Sequence, residues 1–249
     1  MKAIFRLIGL GLLAGLALQI FFVARIAMMA VVNPESTAFQ RSEAYLVVRN
    51  TGSLKWRQQW VPYADLPDSL KRAVIASEDA SFAEHDGVDM EALEKAWDKN
   101  AKAQLRAAQS ASRLAPSKAA AAPAKPPKIV GGSTITQQLA KNLFLSGERT
   151  LLRKGQELLL TLLLEALLSK ERILEIYLNS VEWGEGIFGA EAAAQHYYRK
   201  PASKLSAYES ARLAVMLPRP KYFETRPGSG YLASRASTIT ARMGGVELP

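Results

Sequence analysis

The strongest constraint on this chain lies near its N-terminus. Leu7–Ala24 is an uncharged run whose one polar residue is Gln19. Eighteen helical residues extend about 27 Å, which is close to the thickness of a bilayer's hydrocarbon core. The run therefore predicts a membrane-spanning helix.

The residues around this run suggest how it is used. The apolar stretch continues past Arg25, whose long side chain can reach the membrane surface. Lys2 and Arg6 precede the run, which favours a cytoplasmic location for the N-terminal residues 1–6. A cleaved signal peptide is the alternative, but the run is long and no cleavage site of the small-x-small type follows it. We predict an uncleaved anchor over residues 7–32.

Composition limits the partners. The 249 residues are 49% apolar, which suits one domain plus an anchor, and the absence of cysteine excludes disulfides and thiolate metal sites. The net charge of +9 indicates an anionic partner, either nucleic acid, anionic lipid or a phosphorylated substrate.

Much of the positive charge lies in one segment. Lys99–Lys128 contains seven Lys or Arg and no acidic residue. The wider segment, residues 98–128, is rich in Ala, Lys, Pro and Ser, which predicts a flexible insertion whose first part is a frayed helix. Two readings stay open, a segment that attracts anionic headgroups or ligands and an inert insertion.

The coarse secondary structure is mainly α with one small β element. After a polar connector at residues 33–43, Ala44–Asn50 and Leu54–Val61 predict a β-hairpin around Asn50–Ser53. The domain is predicted to span residues 44–225, before a tail of little periodicity at residues 226–249. Helices are predicted after Pro67 and over Thr134–Leu145, Thr150–Leu168, Lys170–Asn179, Glu191–Tyr198 and Ala207–Leu217.

Two adjacent acids end the predicted helix after Pro67. Glu78 and Asp79 follow an apolar run. Adjacent acids on a helix are usually solvated surface. A glutamate at the edge of a core, however, has a raised pKa, as a general acid or base requires.

A polar stripe begins the next helix. Thr134, Gln138 and Lys141 are spaced i, i+4 and i+7, so they lie on one face. An exposed helix face is the ordinary explanation. Gly131 and Gly132 nevertheless allow close backbone approach at a helix start, which attracts anions.

Cations crowd the start of the following helix. Arg153 and Glu157 have the spacing of an ordinary helix-stabilising ion pair. Arg149, Arg153 and Lys154 together oppose the helix dipole, and an anionic ligand would offset that cost. The only histidines are His85 and His196, and the chain shows neither a Ser-His-Asp pattern nor a Walker-type loop. Carboxylates, cations and amides together suit a glycosyl transfer in which the leaving group is phosphorylated.

Five motifs in a fixed order resemble the peptidoglycan glycosyltransferase family (glycosyltransferase family 51), and in particular its monofunctional, membrane-anchored members. They run from about Leu66 to Pro220, and five ordered motifs are far more specific than any one alone. The motifs are EDASFAEHDGVD (Glu78–Asp89), GGSTITQQLAKNLFL (Gly131–Leu145), RKGQE (Arg153–Glu157), KERILEIYLNSVEWGEGIFGAEAAAQHYY (Lys170–Tyr198) and ARLAVMLPRP (Ala211–Pro220).

The resemblance implies roles for individual residues. Glu78 matches the base that deprotonates the acceptor hydroxyl, and Asp79 matches its supporting acid. Lys141 and Arg153 match cations that hold the donor's diphosphate, and Glu157 matches a second glutamate near the diphosphate or its metal. The remaining matches are predicted substrate-binding positions at Thr134, Gln138, Asn142 and Arg149, and supporting positions at Phe82, His85, Lys154 and Asn179. For His85 we expect a buried ring that is hydrogen-bonded within its motif.

The family also implies a fold and a reaction. We expect a mainly α, lysozyme-like, two-lobed domain that polymerises lipid II into β-1,4-linked glycan, with inversion and release of undecaprenyl diphosphate. A divalent cation, Mg²⁺ or Mn²⁺, is expected at a site that the sequence does not identify. Expected partners are lipid II, the growing glycan, the membrane, and other cell-wall synthases or division proteins, but not nucleic acid. The expected location is the inner membrane, with one span and a periplasmic catalytic domain.

Two rival functions remain. A lytic transglycosylase or lysozyme-like hydrolase has a related fold, but a glycan cleaver gains little from the cations of GGSTITQQLAKN and RKGQE. A catalytically inactive scaffold is disfavoured because Glu78, Glu157, Lys141 and Arg153 are all present.

Overall fold

A computed structural model describes residues 2–113, 132–145 and 150–249 of the chain. These parts are mostly helical, which confirms the mainly α prediction. The helices are α1 (Lys2–Met28), α2 (Ala38–Thr51), α3 (Asp68–Glu78), α4 (Met90–Arg113), α5 (Ile135–Phe144), α6 (Leu151–Leu167), α7 (Lys170–Ser180), α8 (Ala190–Tyr198), α9 (Ala207–Met216), α10 (Pro220–Glu224) and α11 (Gly230–Arg242). Short 3₁₀ helices occupy Tyr63–Asp65, Ala202–Lys204 and Met243–Gly245.

Helix α1 is long and apolar enough to cross a membrane. It is exposed on all sides as far as Leu18. Beyond that point one face enters the protein core through Phe22 and Ile26, and Met29 follows them in the turn after the helix. Helix α1 thus has a free part and a part that is packed on the domain.

Side-chain caps fix where several helices begin. Thr37 caps α2 and Thr134 caps α5, each in a reciprocal capping box with the glutamine three residues later. These bonds satisfy backbone N–H groups that have no partner within the helix. The helix that the Thr134–Gln137 spacing predicted is confirmed.

The predicted hairpin at residues 44–61 is wrong. Ala44–Asn50 lies within α2, which starts at its Thr37 cap and ends at Gly52 in the left-handed conformation (φ 70°). The β-branched and aromatic content that suggested a strand is outweighed by these helix signals. Leu54–Val61 is extended, and its Arg57 forms an isolated bridge with Ile187.

The small sheet lies elsewhere. Strands β1 (Glu182–Gly184) and β2 (Ile187–Phe188) pair antiparallel across the Gly-rich turn that follows α7. Gly186 has a φ of +72°, and a Cβ there would lie 2.3 Å from the Lys55 carbonyl oxygen. The close approach of the extended segment to this turn therefore requires glycine.

Two boundary predictions, for the connector and for the tail, also need correction. The connector at residues 33–43 ends early, because α2 begins at Ala38 and the buried Gln40 donates to the Ser180 carbonyl. The first part of the predicted insertion at residues 98–128 is helical, as expected, and belongs to α4, because this segment is rich in good helix formers. Residues 114–128 lie outside the described residues.

The tail predicted at residues 226–249 is not irregular. It contains α11, whose Leu232, Ala236 and Ile239 are buried at helical spacing. The periodicity was missed because Ser, Thr and Ala occupy most of the other positions of this helix. Helix α11 packs against α9 and α3.

The helices form two packing groups. Helices α3, α9 and α11 pack together in one group, while α5, α6 and α7 pack together in the other, with α2 against α5 and α1 against α6. One continuous apolar core runs through both groups. Helix α3 ends at Glu78 beside α5, so the predicted catalytic residue lies where the two groups meet.

Candidate active site

Glu78 is the last residue of α3, and its carboxylate is held by two hydrogen bonds. The Gln138 side-chain Nε2 donates to Oε2 at 3.1 Å, and the Ser77 hydroxyl donates to Oε1 at 3.4 Å. Burial raises the pKa of Glu78, against the lowering effect of these hydrogen bonds, and the neighbouring Asp79 carboxylate raises it further. A carboxylate with a raised pKa is suited to accept a proton.

Asp79 joins two motifs that are distant in sequence. Its Oδ1 lies 2.9 Å from His85 Nε2, and its Oδ2 accepts the Ile135 backbone N–H at 2.9 Å. The carboxylate is buried and lies at the N-terminus of α5, where negative charge is stabilised. Asp79 thus fixes the start of α5 beside Glu78.

His85 is hydrogen-bonded within its motif, as predicted. Besides its contact with Asp79, the ring Nδ1 accepts the Gly87 backbone N–H at 3.1 Å. The Lys170 ammonium donates to the His85 carbonyl at 2.5 Å and lies 4.6 Å from the centre of the Phe82 ring. Phe82 is fully buried, so both residues support the loop rather than face the cleft.

Gln138 is oriented by a residue that the sequence analysis did not single out. The Tyr177 hydroxyl donates to Gln138 Oε1 at 2.9 Å, so the amide Nε2 faces Glu78. Tyr177 is buried in α7. It belongs to the KERILEIYLN motif, so its sequence signal was present but was not assigned a role.

Thr134 has an internal structural partner. Its hydroxyl donates to the Gly87 carbonyl at 2.6 Å and accepts the Gln137 backbone N–H at 3.1 Å. The side chain is buried, although the residue borders the cleft. The structure therefore brings Thr134, Gln138 and Lys141 onto one helix, as predicted, but gives Thr134 a role in holding the loop.

The cations of α6 surround a buried carboxylate. Glu157 accepts from Arg153 at 3.0 Å and from Lys154 at its other oxygen. Desolvation lowers the pKa of Lys141, as do the charges of Arg153 and Lys154, while Glu157 raises it. Among the described residues, Lys141, Arg153 and Lys154 thus share the anion Glu157 in this part of the structure, which leaves an excess of positive charge there.

One donor in this cluster has no partner among the described residues. Arg153 Nε is buried, and no group within residues 2–113, 132–145 and 150–249 accepts a hydrogen bond from it. An unpaired buried donor is costly, and a ligand oxygen is the kind of group that satisfies it. The α6 cluster is thus suited to a phosphate or diphosphate.

The remaining predicted positions differ in their surroundings. Asn142 is half-buried on α5, one residue after Lys141. Asn179 is fully buried and joins Val61 to α7 through two hydrogen bonds of 2.8 Å, so it supports the extended segment. Arg149 lies outside the described residues.

A cleft of about 470 Å³ opens beside Glu78. Its walls are formed by the loop after α3, the first turns of α4 and residues 132–134. Lys95 and Lys99 of α4 border the cleft, and the sequence analysis had placed Lys99 in the insertion rather than at the site. Another residue that the sequence did not point to is Arg235 of α11, whose charge lowers the pKa of Glu78. Only the fold brings that residue to the site.

The described residues offer one cluster with metal-ligand chemistry. Ligand atoms of Asp79, His85 and Asp89 lie within 4.8 Å of one another. They are already engaged, because Asp79 bonds His85 and α5, and Asp89 accepts from the Ser81 hydroxyl at 2.5 Å and the Ala92 N–H at 2.7 Å. Mg²⁺ prefers oxygen ligands in octahedral geometry with several waters. The cluster does not fit a resident Mg²⁺.

Comparison with known proteins places this arrangement in a family. The transglycosylase family model matches residues 46–244. Proteins named biosynthetic peptidoglycan transglycosylase from Burkholderia orbicola (strain MC0-3) and Burkholderia multivorans (strain ATCC 17616 / 249) are 52% and 53% identical over 236 residues, which is 95% of this chain and 87% of each relative. The Burkholderia thailandensis protein of the same name is 53% identical over 241 residues, or 96% of this chain and 86% of its own. The chain therefore belongs to the transglycosylase family.

Proposed function

We propose that the chain is a membrane-anchored peptidoglycan glycosyltransferase that polymerises lipid II into β-1,4-linked glycan strands. The family and the names of the relatives support an enzyme of peptidoglycan synthesis. The observation that carries the detailed proposal is the position of Glu78. This partly buried carboxylate borders a cleft and accepts a hydrogen bond from Gln138 of α5. The same helix carries Lys141, whose charge interacts with Arg153, Lys154 and Glu157 of α6.

Glu78 acts as the general base in this proposal. It removes the proton from the 4-hydroxyl of the acceptor sugar, and the hydroxyl oxygen forms a bond to C1 of the donor. The bond between C1 and the diphosphate oxygen breaks at the same carbon, with inversion. Glu78 then carries the proton, which it releases to water, and undecaprenyl diphosphate departs. Gln138 keeps one carboxylate oxygen oriented during this cycle.

The cations of α5 and α6 stabilise the leaving group. The departing diphosphate gains negative charge, and fixed positive groups lower the energy of that state. Lys141 and Arg153 are assigned this role, since the Arg153 Nε has no acceptor in the part of the chain that the structure describes. A glycosidase must instead protonate its leaving oxygen, which a diphosphate does not need. This difference favours synthesis over glycan cleavage.

A divalent cation enters this proposal with the substrate. Because the Asp79, His85 and Asp89 cluster does not fit a resident Mg²⁺, we assign Mg²⁺ or Mn²⁺ to the diphosphate oxygens, where it would neutralise charge. The protein's own part is the positive charge of Lys141 and Arg153, which acts with or without the ion.

The anchor and the surface of α6 support a position at the membrane. The part of α1 that precedes Gln19 is exposed and apolar, and the cations at its start favour a cytoplasmic N-terminus and thus a periplasmic domain in the inner membrane. Helix α6, which packs against α1, exposes a set of leucines. They are Leu152, Leu158, Leu159, Leu162 and Leu167. Such an apolar surface suits contact with lipid, where lipid II resides.

Gel-resolved polymerisation of purified lipid II tests the proposal. Wild-type protein is compared with Glu78→Gln and with Glu84→Gln, which makes the same change at an exposed carboxylate six residues away. We expect glycan ladders from the wild type and from Glu84→Gln, and a rate about 10²–10⁴-fold lower for Glu78→Gln. Each protein is assayed with Mg²⁺ and with a chelator.

Other outcomes select the rival functions. Equal ladders from Glu78→Gln and wild type would remove the base assignment. Shortening of preformed glycan without any ladder would favour the hydrolase. Binding of lipid II by all three proteins without polymer would favour the scaffold.

A further inference from the structure

The anchor and the catalytic domain share a reciprocal pair of amide hydrogen bonds. Gln19 Nε2 donates to Gln156 Oε1 at 3.2 Å, and Gln156 Nε2 donates to Gln19 Oε1 at 3.3 Å. Gln19 is the one polar residue of the Leu7–Ala24 run. A polar group on a membrane helix is costly unless it is paired, and here the pair joins α1 to α6.

The pair begins a continuous docked face on the anchor. Gln19, Phe22, Ile26 and Met29 follow the spacing i, i+3, i+7 and i+10, so they lie on one side of the chain. Phe22, Ile26 and Met29 are all buried, with Ile26 at 0% exposure. The apolar residues from Leu7 to Leu18 precede this face and extend roughly 18 Å, which is less than one hydrocarbon core. The docked face therefore starts in the outer part of the predicted span and continues beyond it.

The far end of the same face is held by a cation. Arg172 of α7 donates through Nε to the Met29 carbonyl at 2.7 Å. Its Nη2 donates to the Val32 carbonyl at 3.2 Å and to the Asn33 side-chain oxygen at 2.7 Å. It also pairs with Glu175 at 2.9 Å. The docked part of the anchor is thus fixed at both ends, which an ordinary flexible tether would not require.

This docked face contacts the two helices that carry the proposed diphosphate site. Gln156 lies between Arg153 and Glu157 on α6. At the next turn of the anchor, the Phe22 ring packs edge-on against Phe144 of α5, with centroids 5.3 Å apart. Helix α5 carries Lys141. A shift of the anchor would therefore move the cations on both helices.

We propose that the Gln19–Gln156 pair is a positioning device, which sets α6 so that Arg153 and its neighbours bind the lipid diphosphate. The inference rests on the proposed function for the identity of the ligand. Amide hydrogen bonds are directional, so they fix the rotation and height of α6 against the anchor, whereas leucine packing fixes them weakly. Neither glutamine lines the cleft beside Glu78, and Glu78 lies on α3 outside this contact.

Isosteric substitutions test the pair. Gln19→Met, Gln156→Met and the double variant keep side-chain length but remove the amides. Each full-length protein is reconstituted in nanodiscs, and both the Kd for lipid II and the kinetic constants of polymerisation are measured. The control is Leu12→Met on the exposed part of α1.

A specific pattern is expected. The Kd and KM for lipid II should rise roughly three- to tenfold in both single variants and stay raised in the double variant, while kcat stays near the wild-type value. If packing alone mattered, the double variant would return to wild-type affinity, because no unpaired amide remains. That recovery, or wild-type Kd in both single variants, would overturn the proposal.

A second measurement reports the contact without any activity. The chain contains no cysteine, so Gln19→Cys with Gln156→Cys introduces the only pair able to form a disulfide. We expect cross-linking in membranes for this pair and little for Leu18→Cys with Gln156→Cys, because Leu18 is exposed on another side of α1. Equal cross-linking of the two pairs would also overturn the proposal. If the wild-type protein does not polymerise lipid II, only the proposed function is rejected. The Kd for lipid II and the cross-linking yield would still test the glutamine pair.

Discussion

Opposing forces act on the Glu78 carboxyl. Removal from water raises the pKa of Glu78 above its ordinary value of 4.5, while the hydrogen bonds from Gln138 and Ser77 and the charge of Arg235 limit that rise. The result is a carboxylate that is more basic than one in water, as the proposed general base requires.

The pH dependence of the rate follows from this balance. Since Glu78 must be ionised, kcat/KM should rise with pH through the raised pKa of the free enzyme and reach a plateau above it. Initial rates of lipid II polymerisation between pH 4.5 and 8 check this. An acid limb centred at or below the ordinary value of 4.5 would contradict it.

The same carboxylate should cost the protein stability. Its folded-state pKa lies above the unfolded value, so it favours folding most at low pH, and that contribution is lost as pH rises through the folded pKa. Glu78→Gln removes the buried charge. The variant should therefore have a higher Tm than the wild type at pH 7.5, and the difference should shrink towards pH 4.5. Thermal unfolding in the same detergent at both pH values measures this difference in Tm. An equal difference in Tm at pH 7.5 and pH 4.5 would contradict a desolvated charge at Glu78.

Tyr177 offers a test of how Glu78 is oriented. Tyr177→Phe removes the hydroxyl that fixes the Gln138 amide, so the amide can rotate and stop donating to Glu78. Since that hydrogen bond lowers the pKa of Glu78, its loss should move the acid limb of kcat/KM to higher pH. Tyr45→Phe on the exposed face of α2 is the control. If Tyr177→Phe changed the stability but did not move the acid limb of kcat/KM, the Tyr177 hydroxyl would contribute to packing and not to the orientation of Glu78.

At the level of elements, the loop after α3 is the critical connection. It joins α3 to α5 through Asp79 and through the Gly87 carbonyl, which accepts the Thr134 hydroxyl. Gly87 has a φ of +82°, and a Cβ there would lie 2.7 Å from Thr161 Cγ2 and 2.9 Å from Glu165 Cγ. Glycine is required both by the backbone conformation and by the closeness of α6.

Gly87→Ala should therefore destabilise the protein by about 1–3 kcal/mol and lower polymerisation more than stability alone explains. The activity effect arises because the loop shift displaces Asp79 and the start of α5. Gly228→Ala, where the added Cβ meets nothing within 4 Å, is the control. Denaturant unfolding and initial rates measure both effects, and wild-type behaviour of Gly87→Ala would show that the loop adapts.

At the scale of the whole molecule, the C-terminal helix completes the domain. Helix α11 packs on α3 and α9, so it supports the helix that ends at Glu78. Leu232 is 1% exposed. Leu232→Ala should cost about 2–5 kcal/mol of unfolding free energy, whereas Ser234→Ala on the exposed side should change little. Calorimetry of the two variants measures this loss of unfolding free energy. If Leu232→Ala lost less than Ser234→Ala, α11 would not contribute to the stability of the domain.

The sequence by itself determined the features that depend on local chemistry. The long apolar N-terminal helix, the capped helices and the order of the five motifs were readable because helix periodicity, caps and apolar length act over a few residues. Glu78, Asp79, Lys141 and Arg153 could be named as site candidates for the same reason.

Only the tertiary structure decided which distant groups meet. The sheet formed after α7 instead of at residues 44–61, because strand pairing depends on partners that are far apart in sequence. Packing also turned the predicted tail into α11, brought Arg235 towards Glu78, and paired Gln19 of the anchor with Gln156. Local sequence sets what a segment prefers, but burial against non-local neighbours sets where its side chains lie.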